Sequence, residues 1–531
     1  MKKLSLLLIG ALGCGPAADI TKDTPGGDTA AKPSAAGDVA IELPGIEING
    51  MVFEPDALGS PGMPTTAAKK KVTIEKQRAV FASTKDPVLK EAQAAILASL
   101  LYNKAKDDKA NVKPLLSEAR QALRDAAQGS GDNVDEITLR MLGSYELALE
   151  DFAAAEKAWA GLVTKNPKAK DAATNRAWWA FSLLKQFKNA EALAVVKEIP
   201  ASEKEPELAY VIAWAKWRAH DDAGAWAALA AASKGWSNDA GRNALDRDLY
   251  LFAGRSSAAF AEVKPQLLGA LGAKQKAQQY AVLAKLGLQS YGFAGRWDEG
   301  IAALDQALEV AGDTVPAEDR PMIRFSQADF AVRLGAPDVS AKYATQAVQS
   351  LPTCGAKCSD KDKQDIVLGV LNMGTLFHVL YATANDIKYY QPAHDLYALT
   401  IGLVMDNAKR AEAQKNSAAL ETTLRNTKAG TGTHDKGAVG TLLGRHNQEV
   451  QACYEATLTL NPKVNGSLTV NLEVDQSGAV TGVSTEPKAG MADMAAVATC
   501  VTERAKSWKL PKRGSAGTTR IKIGYALAPR S

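Results

Sequence analysis

From about Asp86 to Thr427 the chain is rich in Ala, Leu and Lys, with apolar residues at helical spacing and few alternations of the strand type. A run of this kind over some 340 residues, broken at intervals by short turn signals, predicts many helices of ordinary length rather than one long rod. Each such helix has an apolar stripe that needs a neighbouring helix to bury it. The stretch also repeats itself. Leu139 to Pro167 contains Leu142-Gly143, then Asp151-Phe152-x-x-Ala155-x-x-x-Trp159, then Asn166-Pro167. A second copy runs through Tyr291, Gly295-Arg296-Trp297-x-Glu299-Gly300, Leu304 and Ala307-Leu308, and a third through Leu334-Gly335, Tyr343, Ala347 and Pro352. Worn copies surround Phe187-x-x-Ala190 and Tyr390-x-x-Ala393-x-x-x-Tyr397.

These units resemble the tetratricopeptide repeat: a small residue where two helices cross, an aromatic–Ala pair on the second helix, and Pro closing the unit. The resemblance implies a TPR-like α-solenoid over residues 86–428, whose surface recognises a peptide or partner helix. Seven of the nine tryptophans lie between Trp159 and Trp236. Trp178, Trp214 and Trp217, with Tyr291 and Trp297, are the candidates for a partner-facing groove. The competing expectation is that these large side chains fill gaps between helices.

A Gly- and Thr-rich stretch at 429–440 reads as a hinge, and beyond it the pattern changes. Residues 441–460 read as a helix containing Cys453-Tyr454-Glu455 and ending at Asn461-Pro462. Gly466 to Val474 alternates as a half-buried strand, Asp475 to Gly478 forms a turn, and Val480 opens a return strand. A second helix over about Met491 to Ser507 carries Cys500, and Thr519 to Ala526 is a last strand. With Trp508, Pro511 and Gly514, this order resembles the AgmX/PglI C-terminal domain, a TonB-C-like module of myxobacterial envelope proteins. The resemblance covers 441–531 and implies a small α+β fold with an open sheet edge for docking. Leu510, where the family favours Phe, and Tyr525-Ala526, in place of a Tyr-Pro-Phe-like ending, depart from its pattern. The overall expectation is therefore a mostly α protein: a solenoid followed by a small α+β domain.

The N-terminus resembles a bacterial lipoprotein signal. Lys2 and Lys3 precede an apolar stretch too short to span a bilayer, which runs into Ala11-Leu12-Gly13-Cys14. The likeness implies a signal peptide over 1–13 and lipid on Cys14, although Leu12 and Ala11 stand in the reverse of the family's preferred order. An ordinary cleaved signal with Cys14 incidental is the alternative. Gly15, rather than Asp, points to the outer membrane, with the body periplasmic or surface-exposed. Residues 14–85 read as a flexible tether, with alternation around Ile41 to Phe53 that could add short strands. Export implies an oxidising compartment, so the pairs Cys453–Cys500 and Cys354–Cys358 are expected as disulfides, and zinc or redox pairs lack further ligands nearby. Closing the longer loop should contribute roughly 3–4 kcal/mol.

Enzyme signatures of the Walker A, Gly-x-Ser-x-Gly and His-Glu-x-x-His types are absent, and the five histidines are scattered. No catalytic residue, metal ligand or cofactor is expected. Lys and Arg number 63 against 59 Asp and Glu, which gives no general basic character for nucleic acid. The expectation is a membrane-anchored, non-enzymatic scaffold that binds envelope proteins through the solenoid groove and the C-terminal sheet edge, in gliding motility or an envelope-spanning complex. Outer-membrane biogenesis or peptidoglycan-associated assembly is the competing process, and an enzyme with a site in the solenoid groove is a third class.

Overall fold

The structure is a computed structural model that describes residues 37–56, 72–200, 205–235, 248, 252, 276–291, 295–426, 433–488 and 493–530. The signal segment and Cys14 lie outside them. The chain divides into two compact units: Phe53–Arg247 with Ala258–Ala270, and Met1–Val52 with Asp248–Ser257 and Leu271–Ser531.

The described part of the first unit is helical: α1 Ile74–Ser83, α2 Pro87–Asp107, α3 Val112–Ser130, α4 Glu136–Ala148, α5 Phe152–Lys165, α6 Ala172–Lys185, α7 Asn189–Lys197, α8 Pro206–Arg218 and α9 Asp222–Gly235. The starts are written locally. Asp86, Asp135 and Asp151 each accept a first-turn N–H through the side chain, and Pro87 and Pro206 take positions where a missing donor costs nothing. Successive helices pack as pairs. Where α4 crosses α5, Gly143 lies so close to the Trp159 ring that an added Cβ would come within 2.5 Å of it.

The turn inside each pair repeats one geometry. Glu150, Phe187 and His220 all take positive φ, at 61°, 59° and 63°. Three residues beyond the helix the N–H reaches back to close a wide loop: Asp151 to Glu146, Lys188 to Leu183, and Asp221 to Lys216. This is the left-handed helix ending that glycine usually supplies. It recurs near the ~34-residue period of a helix-pair repeat.

In the second unit, α10 Lys276–Lys285, α11 Trp297–Ala311, α12 Asp319–Arg333, α13 Pro337–Cys354, α14 Asp360–Ala384, α15 Tyr390–Thr400 and α16 Asn407–Asn426 continue the same scheme. Its turns use glycine, Gly295 at φ 69° and Gly335 at φ 67°. Ala336 N–H closes on Ala331 O, as in the first unit. Helix α14 is, among the described residues, the one helix long and apolar enough to cross a membrane. Its apolar side is occupied within the protein: Ile366, Val370, Met373, Phe377 and Leu380 are all buried.

The same unit holds the C-terminal module: α17 Lys436–Gly444, α18 Asn447–Leu458, β3 Gly466–Val474, β4 Val480–Lys488, α19 Asp493–Ala505 and β5 Thr519–Pro529. Strand β3 lies between β4 and β5, antiparallel to both. Two strands from far upstream, β1 Val39–Glu42 and β2 Ile46–Gly50, lie parallel to β5 on its other side. The sheet therefore runs β1/β2–β5–β3–β4. The fold is a helix-pair solenoid with a small mixed α+β domain.

One expectation changes, and one takes definite form. Residues 436–440, within the expected hinge, begin helix α17, whose Ala438, Val439, Leu442 and Leu443 are buried in one core with Phe377, Tyr397 and Ile521. His434 is fixed as well, its ring nitrogens 2.9 Å from Thr519 Oγ1 and 2.7 Å from Pro511 O. The glycines at 437 and 440 looked like flexibility, but the apolar stripe between them is what packs. The tether's short strands form where the alternation allowed them, at Val39–Glu42 and Ile46–Gly50, but they join the sheet of the distant C-terminal module.

Candidate interaction site

The motif Cys453-Tyr454-Glu455 is a structural hub. Cys453 on α18 is bonded to Cys500 on α19, with Cα atoms 5.7 Å apart, so the two helices are tied over one face of the sheet. Tyr454 is fully buried and donates to Val464 O at 2.6 Å, holding the turn into β3; burial pushes its phenol up to about 12. Glu455 accepts from Met51 N–H at 3.0 Å and from Gln451 Nε2 at 2.8 Å, so it grips the end of β2.

Beneath the module is a buried charged and aromatic cluster made with α11 and α12. His446 lies on the Trp508 indole, ring centroids 4.7 Å apart at 21°, and its Nδ1 donates to Glu449 Oε1 at 2.6 Å. Glu449 Oε2 accepts from Trp508 Nε1 at 3.0 Å. Trp297 meets the His446 ring edge-on at 6.3 Å, and the Arg333 guanidinium lies 4.3 Å from the Trp297 centroid. Arg333 donates to Asp329 Oδ2 at 2.7 and 3.0 Å and to Gln448 Oε1 at 3.3 Å, and Arg445 donates to Asp329 Oδ1. Burial lowers the Arg333 guanidinium to about 10 and also lowers Arg504. Charges this deep are retained because each has a partner; removing one would strand the others. Nothing in the sequence separates Asp329 and Arg333 from any solvated i,i+4 pair, and that is why they went unpredicted. Among the described residues, no group of three or more His, Cys, Asp and Glu is placed to hold a metal.

The aromatic residues expected to face a partner are interior. Trp214 and Trp217 have no exposed surface, and they pack edge to face at 5.8 Å. Trp178 meets Phe181 at 5.8 Å and is buried, as is Trp297. Arg218, buried among them, stacks on Phe187 and Trp214 and donates to Phe53 O at 3.4 Å; burial brings it down to about 10. In this fold these large rings fill the gaps between helices. The side chain of Tyr291 lies outside the described residues. Cys354 and Cys358 are bonded to each other at the end of α13, Cα atoms 5.6 Å apart, both buried.

Of the two sides of the module's sheet, the β5 side is occupied by β1 and β2. The chain supplies its own neighbouring strand, since an extended strand with unpaired N–H and C=O groups takes whatever extended segment is tethered near it. Among the described residues, no further strand pairs with the outer side of β4. On the solenoid, a cleft of about 490 Å³ opens between α13 and α15, lined by Lys342, Gln346, Gln349, Gln391 and Asp395 among others.

No family model matches the chain, and no curated protein does. Among solved structures it is similar to a chain of the APC/C hetero-tetramer Cut9-Hcn1, at 11% identity over 70% of this chain and 91% of that one, with a TM-score of 0.27. It is also similar to yeast Tom70, at 13% identity over 68% of this chain and 88% of that one, with a TM-score of 0.18.

Proposed function

We propose that the protein is a non-enzymatic scaffold that gathers protein partners along its helix pairs, with the C-terminal module as a second docking element. The observation that carries this reading is the repeated helix pair itself. Each pair spends its tryptophans on its neighbours and leaves its outer helix faces for contact, which suits recognition of extended or helical segments better than it suits chemistry.

The finer reading is a lipoprotein of a bacterial envelope. It is supported by the Lys2–Cys14 segment and by two cysteine pairs within bonding distance, as an oxidising compartment would produce. The helix–hairpin–helix–strand order of the module supports the AgmX/PglI, TonB-C-like resemblance, and with it a role in gliding motility or an envelope-spanning complex. Crosslinking in the intact envelope followed by co-purification tests this. Motility proteins among the partners are the expected outcome, whereas assembly or cell-wall proteins would move the assignment to outer-membrane biogenesis or peptidoglycan maintenance. Hydrolase or transferase activity in the purified body would overturn the scaffold reading. Cys14→Ala should release the protein from membranes, and continued membrane association would overturn the lipid anchor.

A further inference from the structure

The segment between Gly37 and Val52 is held along β5 by strand pairing, end contacts and inward apolar side chains. It runs parallel to β5 in fixed register, Ile41 opposite Ile521 and Ile48 opposite Leu527. Main-chain hydrogen bonds mark its length: Val39 N–H to Thr518 O at 2.9 Å, Leu43 N–H to Lys522 O at 2.9 Å, and Arg530 N–H to Gly50 O at 2.7 Å. Both ends are held by buried side chains of the module. Arg513 Nη2 donates to Gly37 O at 3.0 Å, and Glu455 accepts from Met51. The inward positions are apolar, with Ile41, Leu43 and Ile48 buried, while Glu42 and Glu47 face outward. Gly50 sits against the Tyr454 ring, where an added Cβ would come within 2.7 Å.

Two features set this segment apart from the central strands β3 and β5. Strand β3 is paired on both sides along its whole length, whereas β1 and β2 pair along one side and are interrupted at Pro44. A strand held by one edge, with end clamps and an alternating inward pattern, is the arrangement by which sheet-edge sites hold extended peptides. We propose that the β5 edge is a strand-acceptor site held shut in cis by residues 39–50. Its external occupant is an extended segment of a partner protein, running parallel to β5, with branched apolar residues at the positions of Ile41, Leu43 and Ile48 and glycine at that of Gly50. This inference goes beyond the scaffold reading and stands whether or not the protein is lipid-anchored.

The test uses the full chain with residues 38–51 replaced by a Gly/Ser stretch of equal length, and a fluorescent peptide of residues 37–52 added in trans. The substituted chain should bind the peptide at least tenfold more tightly than wild type, and a peptide carrying Gly50→Val should lose at least tenfold. Amide hydrogen exchange in β3 and β5 reports whether the emptied module still folds. Loss of that protection would overturn the proposal, because the segment would then be an integral strand rather than an occupant. Absence of binding to a protected module, equal binding to wild type, or equal binding of the Gly50→Val peptide would overturn it too. So would a wild-type dimer whose β2–β5 pairs run between copies.

Discussion

The helical repeats and the C-terminal module are built by opposite rules. In a repeat, each helix finds its partner within a few tens of residues, through a turn that closes locally, as Asp151 N–H does on Glu146. In the module the sheet is completed from the other end of the chain, where Thr518 N–H donates to Asp38 across 480 residues. The same contrast appears in the disulfides, with a sequence separation of 4 in the solenoid and 47 in the module. Local closure makes a repeat tolerant of change, because its geometry is over-determined by its own sequence. Long-range closure concentrates the stability of the module in a few contacts.

The buried junction tests that concentration most severely. Asp329→Ala removes the shared partner of Arg333 and Arg445 and should cost about 3–5 kcal/mol, read as a fall in the denaturant midpoint of the unit that contains the module. A loss under about 1 kcal/mol would mean that apolar packing alone holds the module to α12. The two disulfides give a graded comparison. Cys453→Ser with Cys500→Ser should cost about 4 kcal/mol, and Cys354→Ser with Cys358→Ser about 2 kcal/mol, since closing a longer loop removes more entropy from the unfolded chain. Equal losses would break the distinction between local and long-range closure.

Within the repeats the effects should be smaller and can have the opposite sign. Glu150 is exposed and holds a left-handed turn at φ 61°, so Glu150→Gly should raise stability by about 0.5–1 kcal/mol, seen as a higher thermal midpoint. No gain would show that the turn is set by packing rather than by backbone preference. The smallest effect is electrostatic. The hydrogen bond from Arg140 holds the Asp171 carboxyl below its ordinary range. A depressed folded value stabilises above the unfolded pKa, near 3.9, and that contribution is lost as the pH falls through the folded value. Arg140→Ala should therefore weaken the protein by about 0.5 kcal/mol at pH 7 and not at all in strong acid, the pair being one-third exposed. A gap that persists at pH 2 would assign the effect to lost packing of the Arg140 side chain.

The helix-pair scheme was legible because its signals are short-range: Gly143 at a helix crossing, aromatic–Ala pairs on the second helices, and Gly295 and Gly335 at turns. Where Phe187 and His220 hold the same turn without glycine, the signal vanished but the geometry stayed, since packing on either side imposes it. The module's strands were legible from alternation, and both cysteine pairs were anticipated on the expectation of an oxidising compartment. The aromatic groove was not: composition reports that tryptophans cluster, but only burial distinguishes Trp214 and Trp217 in a core from the same residues lining a surface. The cluster of Asp329, Arg333, Arg445, His446 and Glu449 left no mark, because each residue is ordinary in its own segment.

By itself, then, the sequence determined the repeating helices, the glycine-marked turns and the order of strands in the module, all of which follow from preferences acting over a few residues. The tertiary structure alone decided that residues 436–440 are helix rather than hinge, that charges from α12 and the module share one buried site, and that β5 takes residues 39–50 as its neighbour. Those outcomes depend on which surfaces meet across hundreds of residues, and a strand edge or a buried carboxylate carries no sequence label for its partner.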